Sequence, residues 1–307
     1  MGNERDLQLA AAQDLLLERY APDTRVRRIR WSHGETQVLE LGDGPPLLLV
    51  HGGGDGAFEW VPILAMLAET HRVLAVDRPG HGLADAFSYR DVDLQAHVRS
   101  FLVDMLDTLE LEATDVLANS IGGYWAAVFA LAEPHRVRRL VIAGVPPGVV
   151  RDAPLPLRVM GLPVVGPLIA RLVMGKPSRE GSRKFWGEML VVDPAQLPDE
   201  LLDVDAAHMR RNASDIRELL YLMIGPRGIR RHLLLGDRMS TIQVPTLLLF
   251  GEHDAFMTPG MLRAWETIAT ASPRIDVLQV PGAGHLPWID EPERVVPEIE
   301  RFLSATR

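Results

Sequence analysis

Six short, largely apolar runs constrain the fold of this sequence more than any other feature. They lie at residues 47–50, 73–76, 116–118, 140–143, 246–250 and 276–280. Each run leads into turn residues such as glycine, proline or asparagine, and helical patterns such as 93–109 and 121–132 lie between them. Apolar runs of this kind are typical of strands buried on both faces, and alternating strands and helices form mostly parallel sheets. The sequence therefore predicts an α/β fold, a mostly parallel twisted sheet with helices on both faces.

The residues before the first apolar run follow a different pattern. Residues 28–32 and 36–41 alternate polar and apolar side chains, the first more regularly than the second. This alternation is typical of antiparallel strands at an exposed sheet edge. Residues 3–19 have the spacing of an amphipathic helix. We predict an extra N-terminal helix followed by an antiparallel edge.

The alternation of strands and helices is interrupted between residues 149 and 241. We find no convincing strand there, and eight prolines divide an apolar stretch into short helical pieces. We interpret residues 149–241 as an inserted helical cap, with an ordinary run of core helices as the alternative. The core would then consist of residues 1–148, including the extra helix, and residues 242–307.

Composition limits the partners and the chemistry. The 32 basic and 41 acidic residues give a net charge of −9, which disfavours nucleic acid or an anionic membrane as the main partner. Without cysteine, the chain has no disulfide, thiolate metal site or cysteine nucleophile. No run approaches the roughly 18 apolar residues of a membrane span, and the charged N-terminus does not fit a secretory signal. We expect a cytoplasmic protein without stable membrane insertion, and its oligomeric state stays open.

Ser120 stands where an apolar run meets an alanine-rich helical pattern. Small residues, Ala118 and Gly122, stand two positions before and after it. A serine at a sharp strand-to-helix turn is lifted above the sheet in a strained conformation, and small neighbours let the strand and helix approach each other. The pattern predicts a nucleophile, although a serine that only caps the helix is the alternative.

Two later strand ends supply the base and the acid that a serine nucleophile needs. Asp254 follows the fifth apolar run, and His285 follows the sixth. Loops at the carboxyl ends of parallel strands gather at one sheet edge, and the order Ser, Asp, His fits this architecture. We predict a triad of Ser120, Asp254 and His285, with Glu252 as the alternative acid. The histidines lack the clustered spacing of metal ligands, so we expect no metal.

A glycine loop, His51 followed by Gly52 to Gly54, comes directly after the first run. Negative charge develops on oxygen in a tetrahedral intermediate, and fixed backbone N–H groups stabilise it. We predict an oxyanion hole formed by the N–H groups of Gly53 and Ile121. A flexible loop without a role is the alternative. A dinucleotide-binding loop fits less well because the G-x-G-x-x-G spacing is absent, and we expect no cofactor.

Five motifs in one order resemble the α/β-hydrolase superfamily, and the resemblance covers about residues 24–305. They are the glycine loop 51–54, the turn 77–82, the serine segment 119–123, the acid segment 251–254 and the histidine segment 282–285. The resemblance implies an α/β-hydrolase fold with an inserted cap and a serine hydrolase activity. It also implies that Asp77 and Arg78 support the loops and take no part in the chemistry.

Within the superfamily, the glycine loop and the Asn-Ser-x-Gly-Gly segment resemble the meta-cleavage-product hydrolases, which break carbon–carbon bonds in dienoates. Those enzymes tend to have a tryptophan after the catalytic histidine, where this chain has Leu286. They also tend to have an asparagine further along the glycine loop, where this chain has residues 58–61 without one. Haloalkane dehalogenases and epoxide hydrolases use an aspartate nucleophile and differ at Ser120. Hydroxynitrile lyases keep a Ser-His-Asp triad and remain an alternative.

We therefore expect a hydrolase that cleaves a carboxylic ester of a small to medium hydrophobic substrate through an acyl-enzyme on Ser120. Alternatives are a carbon–carbon bond hydrolase and a non-catalytic small-molecule receptor on the same fold. The apolar cap predicts a pocket with little water. The expected substrate contacts are Gly54, Asn119, Phe58, Trp186 and Leu286. Core packing is the alternative for the aromatic side chains, and orientation of the serine turn is the alternative for Asn119.

Overall fold

The computed structural model describes residues 4–160, 162 and 177–305. Its strands are β1 (Arg25–Trp31), β2 (Gly34–Leu41), β3 (Pro46–Val50), β4 (Arg72–Val76), β5 (Thr114–Asn119), β6 (Val137–Ala143), β7 (Ile224–Gly225), β8 (Gly228–Ile229), β9 (Thr246–Gly251) and β10 (Ile275–Val280). Eight of them form one sheet in the order β1-β2-β4-β3-β5-β6-β9-β10. Pairs that include β1 or β2 are antiparallel and all others in this sheet are parallel, which confirms the predicted architecture.

The degree of burial explains which strands were easy to recognise. Every residue of β5 and of β9 is buried, so these central strands have continuous apolar sequences. In β10, at the edge of the sheet, buried ends flank four residues that are partly or fully exposed. An edge strand contacts the core with one face only, which is why β10 contains Asp276 and Gln279.

The helices are α1 (Glu4–Tyr20), α2 (Val61–Ala68), α3 (Leu94–Thr108), α4 (Ser120–Ala132), α5 (Leu155–Met160), α6 (Arg179–Met189), α7 (Asp199–Met223), α8 (Pro259–Ala271), α9 (Pro287–Asp290) and α10 (Pro292–Ser304). One apolar cluster joins one face of the sheet to α3, α4 and α8. A second cluster joins the other face to α1, α2 and α10. Helices therefore cover both faces, as predicted. Among the described helices, none is long and apolar enough to cross a membrane.

The described part of the segment between β6 and β9 consists mainly of the helices α5, α6 and α7. The prediction that it contains no strand was wrong in one detail, because β7 and β8 form a short antiparallel ribbon. Gly228 permits this turn: its φ is +92°, and a Cβ there would lie 2.0 Å from the carbonyl oxygen of Arg151. The proposed cap boundaries at 149 and 241 stay a prediction, and residues 161 and 163–176 lie outside the described residues.

The N-terminal helix α1 packs against α7 and α2. Arg19 on α1 forms an ion pair with Glu200 at 2.6 Å, and Asp6 pairs with Arg211 at 2.5 Å. Arg211 also donates to the carbonyl oxygen of Gly82 at 2.7 Å. The extra helix predicted from the sequence thus joins the segment between β6 and β9 to the residues around the sheet.

Candidate active site

The junction of β5 and α4 holds Ser120 in a strained backbone conformation. Its φ is +49°, a left-handed value that non-glycine residues rarely adopt unless the surrounding structure enforces it. A Cβ on Gly122 would lie 2.2 Å from the carbonyl oxygen of Val50 and 2.4 Å from that of His51. The start of α4 thus lies directly against the end of β3, and only glycine fits there. Ser120 itself is half-buried, at the carboxyl edge of the sheet.

The carboxylate of Asp254 holds the imidazole of His285. His285 Nδ1 lies 2.9 Å from both carboxylate oxygens. The backbone N–H groups of Phe256 and Val145 donate to the same carboxylate at 2.9 and 3.0 Å. A carboxylate neighbour fixes the proton of a neutral imidazole on Nδ1 and leaves Nε2 free to accept a proton. The neighbouring Glu252 is exposed, so Asp254 is the acid that the fold brings to His285.

His285 lies against the serine turn. A Cβ on Gly144 would be 3.3 Å from His285 Cε1 and 2.6 Å from the side-chain nitrogen of Asn119, which precedes Ser120. Among the described residues, no hydrogen bond joins Ser120 Oγ to His285, and such bonds often tighten only when substrate is bound. The ring of Phe256 lies 4.3 Å from the imidazole, centroid to centroid, and packs against the base.

The glycine loop lies against the residue that follows Ser120. A Cβ on Gly53 would lie 2.6 Å from Cδ1 of Ile121, so the residues that carry the two N–H groups are in contact. The carbonyl oxygen of Gly52 accepts from Arg78 Nη2 and lies 2.9 Å from His51 Nδ1. Because this oxygen and the Gly53 N–H belong to one planar trans peptide, holding the oxygen directs the N–H to the opposite side.

Buried ionisable groups surround the glycine loop. His51 Nε2 accepts from the backbone N–H of Arg78 at 2.9 Å, and His81 Nε2 lies 3.2 Å from the carbonyl oxygen of Gly53. Burial lowers the pKa of His51 and His81 well below the ordinary range and lowers the pKa of His208 to about 3. These three histidines are therefore neutral and support the loops as hydrogen-bonding groups.

Three buried carboxyl groups lie near the same loop. Burial, together with the charge of Asp205, raises the pKa of Asp55 to about 7. Burial and the charge of Asp55 raise the pKa of Glu59 well above its ordinary value, and burial raises the pKa of Asp205 to about 6. Within residues 4–160, 162 and 177–305, no group of three or more His, Cys, Asp or Glu side chains is arranged to hold a metal.

The structure places the five expected substrate contacts in two environments. A Cβ on Gly54 would touch nothing within 4 Å, so this residue borders open space. Phe58, Asn119, Trp186 and Leu286 are at most 1% exposed. Asn119 also donates to the carbonyl oxygen of Ala143 at 2.7 Å, so it ties the serine turn to β6. Contact of these four enclosed side chains with substrate stays a prediction, and such contact would require the residues around them to move.

Several functional candidates were not identified from the sequence. Val145 and Phe256 act through backbone N–H groups, which leave no trace in residue type. Glu59 did leave a signal, since it is a single acidic residue in the otherwise apolar segment 57–64. Its side chain is fully buried and accepts a hydrogen bond from Gly52, with the backbone nitrogen 3.1 Å from each carboxyl oxygen.

Comparison with known proteins identifies the family to which the chain belongs. A model of the α/β hydrolase family matches residues 47–298. A 2-hydroxy-6-oxononadienedioate/2-hydroxy-6-oxononatrienedioate hydrolase from Pseudomonas putida is 30% identical over 77% of this chain and 82% of that protein. An uncharacterized protein of Mycobacterium tuberculosis is 27% identical over 99% of this chain and 86% of its own length.

Solved structures show the same fold. Carboxylesterase CesB from Bacillus subtilis has a TM-score of 0.78 and 24% identity, and the match covers 99% of this chain and 100% of that one. A meta-cleavage product hydrolase from Pseudomonas fluorescens has a TM-score of 0.73 and 22% identity, over 90% of this chain and 97% of that one. At these identities the likeness concerns the fold alone. Since the family model spans most of the sequence, this hydrolase belongs to the α/β hydrolase family.

Proposed function

We propose that the protein hydrolyses carboxylic esters of small to medium hydrophobic molecules through an acyl-enzyme on Ser120. The observation that carries this proposal is the 2.9 Å contact of His285 Nδ1 with the Asp254 carboxylate, beside the strained serine turn. The contact of the Ile121 side chain with Gly53 supports the second requirement, because it brings together the two residues whose backbone N–H groups we propose as the oxyanion donors.

The reaction follows from these positions. Ser120 Oγ attacks the ester carbonyl while His285 Nε2 takes its proton, and Asp254 stabilises the imidazolium that results. The N–H groups of Gly53 and Ile121 bind the oxyanion, each contributing about 10²–10³ in rate. His285 then protonates the leaving alcohol. Water repeats the sequence on the acyl-enzyme and releases the acid, so the residues present suffice without a cofactor.

The groups near the glycine loop support a neutral ester over a dienedioate, which carries two carboxylates. The acids Asp55, Glu59 and Asp205, all buried near this loop, offer a substrate carboxylate no opposite charge. Arg78 is also buried near it, but its guanidinium is fully enclosed, bound to the carbonyl oxygen of Gly52 and stacked over Trp125 at 5.1 Å. It is therefore placed to support the loop, and a substrate carboxylate would not reach it.

A carbon–carbon bond hydrolase is the second candidate. It is supported by the 30% identity to the Pseudomonas putida hydrolase and by the Asn119-Ser120-Ile121-Gly122-Gly123 segment. Leu286 speaks against it: this residue is fully buried and stands where the resemblance leads us to expect a tryptophan.

Hydrolysis of p-nitrophenyl esters from acetate to long acyl chains, beside a 2-hydroxy-6-oxo dienoate, tests the proposal. Wild type is compared with Ser120→Ala and with Ser214→Ala, an exposed serine on α7 that serves as the control. We expect ester turnover with an optimum chain length, lost in Ser120→Ala and unchanged in Ser214→Ala. Ser120-dependent turnover of the dienoate alone would establish the second candidate. No turnover, and no labelling of Ser120 by a fluorophosphonate, would favour the receptor alternative.

A further inference from the structure

Glu59 is a buried acid for which the proposed reaction has no use. It lies in the short 3₁₀ turn Ala57–Trp60 that leads into α2, and its exposed fraction is 0%. Burying a carboxyl group is costly unless it makes hydrogen bonds. Both oxygens of Glu59 lie 3.1 Å from the backbone nitrogen of Gly52, which donates to them. The acid is thus attached to the residue immediately before the predicted oxyanion donor Gly53.

Gly52 is held on three sides. Glu59 binds its N–H, and Arg78 and His51 bind its carbonyl oxygen. On the third side, a Cβ on Gly52 would lie 2.3 Å from Oδ1 of Asn119. The peptide planes before and after Gly52 are therefore both fixed, and the second plane contains the Gly53 N–H. Loss of the Glu59 contact would release the first plane and leave a buried N–H without its acceptor.

The same turn also contacts the segment that carries the base. The carbonyl oxygen of Glu59 accepts from Trp288 Nε1 at 3.3 Å, and Trp288 follows His285 by three residues. The rings of Trp60 and Trp288 stack with centroids 4.4 Å apart. The turn that contains Glu59 consequently contacts both the glycine loop and the segment that follows His285, and it can align one with the other.

Two charged groups act on Glu59, Asp55 directly after the glycine loop and Arg78 after β4. Asp205 on α7 acts in turn on Asp55. Burial and the charge of Asp205 raise the pKa of Asp55 to about 7, and burial and the charge of Asp55 raise the pKa of Glu59 well above its ordinary value. Glu59 therefore retains its proton at neutral pH. A protonated carboxyl still offers its carbonyl oxygen to Gly52, so a side-chain amide is a suitable replacement.

We propose that Glu59 is a positioning residue of the oxyanion hole, which holds Gly52 so that the Gly53 N–H points to the site shared with the Ile121 N–H. The inference rests on the proposed function, because it concerns the rate of a reaction at Ser120. Glu59 acts through Gly52 and does not touch the substrate.

Three variants at this position and one control test the inference. Glu59→Gln keeps an oxygen for the Gly52 N–H, whereas Glu59→Leu and the unbranched Glu59→Met remove it. Glu40→Leu is the control, because Glu40 is a buried carboxyl on β2 whose partners are Arg27 at 2.6 Å and Arg72 at 2.8 Å. For each variant, kcat and KM for the best p-nitrophenyl ester and the urea midpoint are measured. Ser120 dependence of wild-type turnover is established first, so failure of the proposed function is recognised separately.

We expect kcat to fall about 10²–10³-fold in Glu59→Leu and Glu59→Met with KM changed less than about threefold, the pattern of a lost oxyanion contact. Glu59→Gln should recover kcat to within about tenfold of wild type. Glu40→Leu should lower the urea midpoint and leave kcat unchanged. Near-wild-type kcat in a folded Glu59→Met, or an equal loss in Glu59→Gln and Glu59→Met, would overturn the inference. An equal loss of kcat in Glu40→Leu would overturn it as well, because the effect would then be one of stability.

Discussion

Replacement of Asp254 by asparagine separates the chemistry of the site from its folding. The carboxylate accepts three N–H groups, those of His285 at 2.9 Å, Phe256 at 2.9 Å and Val145 at 3.0 Å. Asparagine has the same shape but only one oxygen, and its second position is an NH₂ donor. Whichever way the amide turns, one backbone N–H faces a donor instead of an acceptor.

Two effects of different size follow. A buried N–H without an acceptor should lower the free energy of unfolding by about 1–3 kcal/mol. The imidazole would no longer be held with its proton on Nδ1, and a triad aspartate replaced by asparagine costs about 10⁴ in kcat. That factor corresponds to roughly 5 kcal/mol of transition-state stabilisation. The activity loss should thus exceed anything that the stability loss explains.

Steady-state kcat on the best ester and urea unfolding at one pH measure the two effects separately. Glu252→Gln is the matched control, because Glu252 is exposed and its Oε2 accepts from the Gly282 N–H at 3.1 Å, a contact that glutamine keeps. We expect its kcat to stay within about threefold of wild type. The assignment of the acid would be refuted if Asp254→Asn kept more than a tenth of the wild-type kcat, or if Glu252→Gln lost more kcat than Asp254→Asn.

Two further predictions concern stability. Gly122→Ala should lower the free energy of unfolding by about 1–3 kcal/mol or more in urea denaturation, because its Cβ would lie 2.2 Å from the Val50 carbonyl oxygen. Gly54→Ala is the control and should change this free energy by less than about 0.5 kcal/mol, because its Cβ would meet nothing within 4 Å. Equal effects of the two substitutions would contradict the close packing at the serine turn. The pKa of Asp55 is raised from 3.8 to about 7, so between these pH values the folded protein binds one proton more than the unfolded chain. The resulting contribution to the free energy of unfolding is complete below pH 3.8 and is lost as the pH rises to about 7. Between pH 5 and 6 this group makes the free energy of unfolding fall by up to ~1.4 kcal/mol per pH unit, and Asp55→Asn should make the fall shallower by that amount. An equally steep fall in Asp55→Asn would contradict the raised pKa.

Much of the fold could be predicted because burial on both faces leaves a direct mark on the sequence. β5 and β9 read as apolar runs since every residue of each is enclosed. The antiparallel strands β1 and β2 were predicted from alternation, and α1 from helical spacing. The ribbon of β7 and β8 was missed because two-residue strands have no periodicity, and its turn depends on Gly228 and its close approach to Arg151.

The placement of the candidate site could be predicted where chemistry requires a particular residue type at a strand end, as at Ser120, Asp254 and His285, whose catalytic roles stay a prediction. It was less predictable where the role depends on what the chain folds against. Glu59 is one acidic residue in an apolar turn, and only the folded loop shows that the Gly52 N–H is its partner. Trp186 was expected at the pocket, but it is fully enclosed in the core cluster that also contains Leu202.

Intact-protein mass spectrometry of the enzyme quenched during turnover of a p-nitrophenyl ester tests the central claim most directly. The proposed mechanism predicts a mass increase equal to the acyl group, located by peptide mapping on Ser120 and absent from Ser120→Ala. An acyl group on another residue, or wild-type turnover by Ser120→Ala, would contradict it.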